Sequence, residues 1–128
     1  MFDLDHFKEV NDTHGHLAGD RVLQGIGSRV REGIRLEDLL CRYGGEEFVV
    51  VLRNINLGGA AVVGERLRAL LAAKPIDTDA GALRVTASFG CATLSCCAEK
   101  TPTALIEAAD RRLLMAKRQG RNRVVASG

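Results

Sequence analysis

The sequence predicts an α+β domain in which a central, mostly antiparallel sheet is packed against helices, close to the βαββαβ ferredoxin-like arrangement. Three observations predict it. Short strand-like apolar runs alternate with longer segments of helical spacing, two of those segments carry a continuous apolar stripe, and a Gly-Gly turn separates two adjacent strand-like runs. With 128 residues and a formal charge of +2, the chain reads as a single domain, 1–128, large enough to bury a core.

Each element follows from local chemistry. Met1 to Asp5 reads as the end of a first strand whose body is largely missing. Asp5 is placed to cap a short helix from His6 to Asp12, and Thr13 to Gly19 forms a glycine-bearing connector. Asp20 then caps a longer helix, in which Val22, Leu23, Ile26, Val30 and Ile34 recur at helical spacing on one face. Leu39 to Tyr43 is a short strand, Gly44-Gly45 turns the chain, and Phe48 to Leu52 is an unbroken apolar run typical of a buried strand. A second amphipathic helix from about Gly59 to Ala73 presents Val63, Leu67, Leu70 and Leu71, and Lys74-Pro75 stops it. Leu83 to Thr93 is β-rich. Pro102 to Gln119 is helical, with Pro102 in the first turn and Gly120 at the C-cap, and Arg123 to Ala126 ends the chain as a strand. The predicted order is β-α-α-β-β-α-β-α-β, with the helices layered on one face.

Composition narrows the function classes. The charge is too small to announce a nucleic-acid partner, and four Phe, one Tyr and no Trp leave few rings for base stacking. No apolar stretch approaches the roughly 20 residues of a membrane helix, and no signal-peptide pattern is present, so the expected compartment is the cytoplasm. Cys41, Cys91, Cys96 and Cys97 lack metal-ligand spacing and are expected to be reduced and structural. His6, His14 and His16 lack a matching ligand set and are expected on the surface.

Chemistry concentrates at the glycine turn. Gly44-Gly45-Glu46-Glu47-Phe48 sets two carboxylates where backbone can approach a ligand, although such a turn taken alone could equally be a plain solvated loop. Asp3 and Asp5 are two apart, so an extended segment projects both to one face. A strand end carrying Asp3 beside a turn carrying Glu46 and Glu47 would gather three carboxylates. That set suits two-metal phosphoryl transfer, since hard cations prefer carboxylate oxygen.

Three separated motifs then occur in order: Asp3-Leu4-Asp5-His6-Phe7-Lys8-x-x-Asn11-Asp12-x-x-Gly15-His16-x-x-Gly19-Asp20, then Arg42-Tyr43-Gly44-Gly45-Glu46-Glu47-Phe48, then Ala116-Lys117-x-x-Gly120-Arg121-Asn122. Together they resemble the GGDEF family of bacterial diguanylate cyclases, nearly from end to end. The resemblance implies a fold similar to the palm of nucleotidyl cyclases and condensation of two GTP into cyclic di-GMP and two pyrophosphates. It implies Asp3, the Leu4 carbonyl and Glu46 as ligands of Mg²⁺ or Mn²⁺, with Glu47 a further metal-side or catalytic carboxylate. Asn11 and Asp20 would read guanine, whose N1–H and 2-amino group offer a carboxylate two adjacent donors that adenine lacks. Phe7 and Lys8 would meet the triphosphate beside Gly44 and Gly45, and Lys117 and Arg121 would bind the β and γ phosphates. The bland readings are a helix cap for Asp20 and dipole complementation for Lys117 and Arg121.

Arg35-Leu36-Glu37-Asp38 is an Arg-x-x-Asp sequence separated from Gly44 by five residues, in the register of the family's inhibitory product site, and Arg66 matches a position that completes it. Taken alone, it is an everyday surface ion pair. The resemblance further implies an antiparallel homodimer in the active assembly and an N-terminal sensory or regulatory domain. Leu114 stands where the family usually has tyrosine. The alternative is an inactive GGDEF module that binds cyclic di-GMP or GTP as a sensor.

Overall fold

A computed structural model describes all 128 residues. In chain order the elements are β1 (Phe2–Leu4), α1 (Phe7–His14), α2 (His16–Gly33), β2 (Leu39–Gly44), β3 (Glu47–Val51), α3 (Leu57–Ala73), β4 (Ile76–Thr78), β5 (Gly81–Leu83), β6 (Ala87–Gly90), a short 3₁₀ turn (Leu94–Cys96), α4 (Pro102–Arg118) and β7 (Val124–Val125). The main sheet runs β2-β3-β1-β6-β7, and β4-β5 form a separate hairpin. All main-sheet pairs are antiparallel except β6 with β7.

The core begins with alternation along β1. Phe2 stands opposite Phe48 of β3 and Phe89 of β6, and its ring stacks on both at centroid distances of 5.0 and 4.8 Å. On this face Val22, Ile26 and Val30 of α2 and Leu67 and Leu71 of α3 close the cluster. The stripe read on the first long helix is thus the buried face, apart from Ile34, which lies at its C-terminal cap position.

Asp3 and Ser88 occupy the opposite face, as the two-residue period requires. That face is covered by α4. A Cβ on Gly90 would fall 2.1 Å from the Ala109 carbonyl oxygen and 2.4 Å from the Leu113 nitrogen, so α4 backbone lies directly on β6. The expectation of helices on a single face is therefore corrected: α2 and α3 cover one side, and α4 the other. The reason is local, because only glycine at position 90 lets a helix approach so closely.

Two helix starts also differ from the sequence reading. Helix α2 begins at His16, after Gly15 at φ 90°, so Asp20 lies inside it and is no cap. At α1 the cap position is His6, in left-handed conformation with no side-chain cap bond, and Asp5 is engaged elsewhere. The caps of the later helices are conventional: Asn56 accepts from the Gly59 amide at 2.8 Å and Thr101 from the Ala104 amide at 3.1 Å. The β-rich stretch 83–93 resolves into the end of β5 and all of β6, and the β4–β5 hairpin was not foreseen. Thr78 holds that hairpin's turn, accepting from the Ala80 amide at 3.1 Å and donating to the Gly81 carbonyl at 2.7 Å. All four cysteines are free, but Cys41 and Cys96 are exposed and have no part in the core. The three histidines are exposed.

Strand β1 pairs with β3 only at Phe2 and Asp3. Val50 and Val51 have no partner on the β1 side, and an apolar cavity opens there between Phe2, Val50, Phe89, Leu105 and Ile106. No helix is long and apolar enough to cross a membrane.

Candidate active site

The site lies where the central strand ends against the hairpin. Asp3 is directly opposite Glu47 across the β1–β3 ladder, and the Leu4 amide donates to the Glu46 carbonyl at 3.3 Å. The register Gly44 to Glu47 leaves Gly45 and Glu46 as a two-residue loop, with Gly45 at φ 43° and the Arg42 side chain donating to its carbonyl at 2.8 Å. A Cβ on Gly44 or Gly45 would meet nothing within 4 Å, so the space over the turn is open.

From α4, Lys117 reaches Asp3, with its Nζ 2.8 Å from Oδ2. Burial pushes the Asp3 carboxyl above its ordinary value, and the charges of Glu46 and Glu47 push it the same way, while the hydrogen bond and charge of Lys117 pull it back. The three carboxylates therefore feel one another, and an ammonium is the cation that offsets them.

Their oxygens are the donor chemistry a hard divalent cation takes. No three acidic, histidine or cysteine side chains close around a common point as they stand. Asp3 with Glu46 and Glu47 fit a cation by charge and donor type, and Leu4 contributes backbone at the same strand end.

Helices α1 and α2 touch through Gly19, where a Cβ would lie 1.8 Å from Asn11 Oδ1 and 3.2 Å from the Phe7 ring; Asp20, the next residue of α2, is exposed. Asn11 Oδ1 is buried and has no hydrogen-bond partner. A buried acceptor without a donor is costly, about 1–3 kcal/mol, and its amide has reason to turn outward. Phe7 is buried in the core, and Lys8 is exposed one residue along α1.

Away from this centre, Arg35 and Asp38 form a tight loop. The Asp38 carboxylate accepts from the Arg35 amide at 3.0 Å, from Arg35 Nε and Nη2 at 3.2 and 3.1 Å, and from the Arg53 amide at 3.2 Å. Burial pushes the Asp38 carboxyl up, but these bonds and the guanidinium charge outweigh it and hold it below the usual range. Arg66 donates to the Gly33 carbonyl at 2.7 Å, which sets it beside the start of that loop.

Residues 1–123 match the family model described as diguanylate cyclase, GGDEF domain. The chain belongs to the GGDEF family. It is 40% identical over 127 residues to diguanylate cyclase A of Treponema denticola, covering 99% of this chain and 34% of that protein. The GGDEF domain of YfiN from Pseudomonas aeruginosa has a solved structure that matches with a TM-score of 0.91 at 36% identity, over 97% of this chain and 72% of the other. That of DgcB from Caulobacter crescentus, solved in complex with c-di-GMP, matches with a TM-score of 0.86 at 31% identity, over 97% of this chain and 73% of the other. Among its first curated matches the chain spans between 18% and 35% of the full-length proteins.

This GGDEF domain thus brings Asp3 beside Glu47, the Glu46 backbone and Lys117, and packs Asn11 against Gly19, one residue before Asp20. Arg121 lies one turn beyond Lys117 in sequence, exposed and without a hydrogen bond from its side chain. Two contributors had escaped the sequence reading. Gly19 looked like a connector glycine but is a packing glycine inside α2, and Asp5 is a buried junction whose partners lie more than 80 residues away.

Proposed function

We propose that this GGDEF domain is a diguanylate cyclase, condensing two GTP molecules into cyclic di-GMP and two pyrophosphates. The observation that supports the reading is Asp3, paired with the Lys117 ammonium, standing opposite Glu47 and beside an open glycine turn.

The residues divide the work. Asn11 and Asp20 read the guanine edge, Asn11 Oδ1 receiving the donor it lacks. The open turn at Gly44 and Gly45 lets the triphosphate approach backbone, with Phe7 and Lys8 at the start of α1. Lys117 leaves Asp3 for the β and γ phosphates, and Arg121 joins it there. Asp3, the Leu4 carbonyl, Glu46 and Glu47 hold Mg²⁺ or Mn²⁺. When bound, the cation offsets charge on the phosphates and lowers the pKa of the attacking hydroxyl. Each 3′-hydroxyl attacks the α-phosphorus of the other GTP; its proton is lost to the carboxylate side or to water, and pyrophosphate leaves. Because each domain binds one GTP, two chains must meet in antiparallel fashion, and rate enhancement comes from positioning.

Arg35 and Asp38, with Arg66 nearby, form the proposed inhibitory product site. A guanidinium can fork onto guanine O6 and N7, and the carboxylate can accept from its Watson–Crick edge. To do so, the pair must exchange its present mutual bonds for bonds to the product, which makes occupancy a competition and not a simple addition.

The test is incubation of the chain with GTP and Mg²⁺, followed by chromatography of the nucleotides. Cyclic di-GMP is expected, and Asp3→Asn should lose at least about 100-fold in turnover. GTP binding with no cyclic dinucleotide from the unaltered chain would leave the sensor reading in its place.

A further inference from the structure

Asp5 is 5% exposed and belongs to no salt bridge. A buried carboxylate without a cation is tolerated only when its oxygens are well supplied with donors. Here Oδ1 accepts from Ser88 Oγ at 2.6 Å, and Oδ2 accepts from Thr86 Oγ1 at 2.6 Å and from the Asn122 amide at 3.0 Å. None of these bonds caps α1, so the acid serves a different element.

That element is the turn between α4 and β7. Gly120, Arg121 and Asn122 have φ values of 120°, 65° and 46°, three positive values in a row of which two belong to non-glycine residues. Each such residue costs on the order of 1 kcal/mol and persists only where its surroundings over-determine it. The surroundings do so here: the Arg121 amide donates to the Ala116 carbonyl at 3.0 Å, Arg68 Nη1 donates to Asn122 Oδ1 at 2.8 Å, and Asp5 receives the Asn122 amide. Of these, Asp5 alone links the turn to the strand that carries Asp3.

We infer that Asp5 is a positioning residue for the triphosphate: its carboxylate pins the Gly120–Asn122 turn in left-handed conformation and thereby presents Arg121 beside Lys117. The inference rests on the proposed reading of Arg121 as a phosphate contact. Two functions of the strand end are then linked, because Asp3 holds the cation side of the substrate while Asp5, two residues on, fixes the phosphate-binding turn. The Ser88 and Thr86 hydroxyls orient the carboxylate. Asn at position 5 would put an amide donor where an acceptor is needed, facing a hydroxyl or the Asn122 N–H.

The experiment measures binding of GTP and of GMP to the full chain, for the unaltered protein, Asp5→Asn, Ser88→Ala, Arg121→Ala and the double variant Asp5→Asn/Arg121→Ala. Asp5→Asn is expected to weaken GTP about tenfold while GMP, which lacks the β and γ phosphates, changes less than about twofold. With Arg121→Ala present, Asp5→Asn should add less than about twofold. Ser88→Ala should lower the GTP-to-GMP ratio in the same direction by a smaller factor, and it decides the matter if Asp5→Asn does not fold. An unchanged GTP-to-GMP ratio in Asp5→Asn and Ser88→Ala, with Arg121→Ala still losing GTP, overturns the role of Asp5 alone. Arg121→Ala with undiminished GTP affinity overturns both that role and the reading of Arg121 beneath it.

Discussion

Charged side chains in this domain are held by backbone groups as often as by one another, and that sets what each will cost to change. Asp38 is the clearest case, with four donors on a buried carboxylate. Asp38→Asn should destabilise the fold by about 1–3 kcal/mol at neutral pH, measured by urea unfolding, because an amide cannot accept all four bonds. Its folded pKa lies below the ordinary 3.8, so the stabilisation is complete above that value and is lost as pH falls through the lowered one. The unfolding free energies of variant and parent should therefore draw together only at the acid extreme; a gap that closed between pH 5 and 7 would contradict this. At the same scale, sequence spacing was enough to foresee Asp3 on a strand end beside the turn of Glu46 and Glu47, because strand alternation and a tight turn are local rules. It could not find the partners of Asp5. A cap residue and a buried acceptor look identical until the partners arrive, and those lie 81, 83 and 117 residues away.

Among the elements, the α1–α2 pair turns on one packing residue, Gly19. Gly19→Ala would set a Cβ 1.8 Å from Asn11 Oδ1, and the flexible amide would yield. Helix propensity favours alanine by about 1 kcal/mol, so the fold should be nearly as stable as before. Guanine reading should suffer instead, with the preference for GTP over ATP falling at least about tenfold in competition binding. Retention of that preference would separate Gly19 from the nucleotide. The long helices were legible because their apolar stripes have a period, whereas the start of α2 was not. Two glycines in seven residues read as a loop, although Gly15 breaks the chain at positive φ and Gly19 sits inside the helix to admit a neighbour. The β4–β5 hairpin escaped for a related reason: three-residue strands are too short to show alternation.

For the whole molecule, the decisive contact joins the sheet to the helix on its far side. Gly90→Ala would drive a Cβ into the α4 backbone at Ala109 and Leu113, and neither atom can turn away as a side chain would. The helix must lift from β6, at a cost of about 3 kcal/mol and a fall of roughly 10 °C in Tm by thermal unfolding. Nucleotide binding should fall with it, since α4 carries Lys117 and leads to Arg121. A variant as stable as its parent would show that the layers have slack. The layering itself went unread in the sequence, because a glycine in a strand signals close approach without saying from which side.

The bonds of Asp5 also bear on the order in which the molecule is made. A chain emerging from the ribosome can form α1, α2 and the β2–β3 hairpin from nearby residues, but the acid beside the strand end waits for Thr86, Ser88 and finally the amide of residue 122. Until then it is a charge with no reason to leave water. Locking of the strand end that carries Asp3 therefore waits on an amide 117 residues further along the chain.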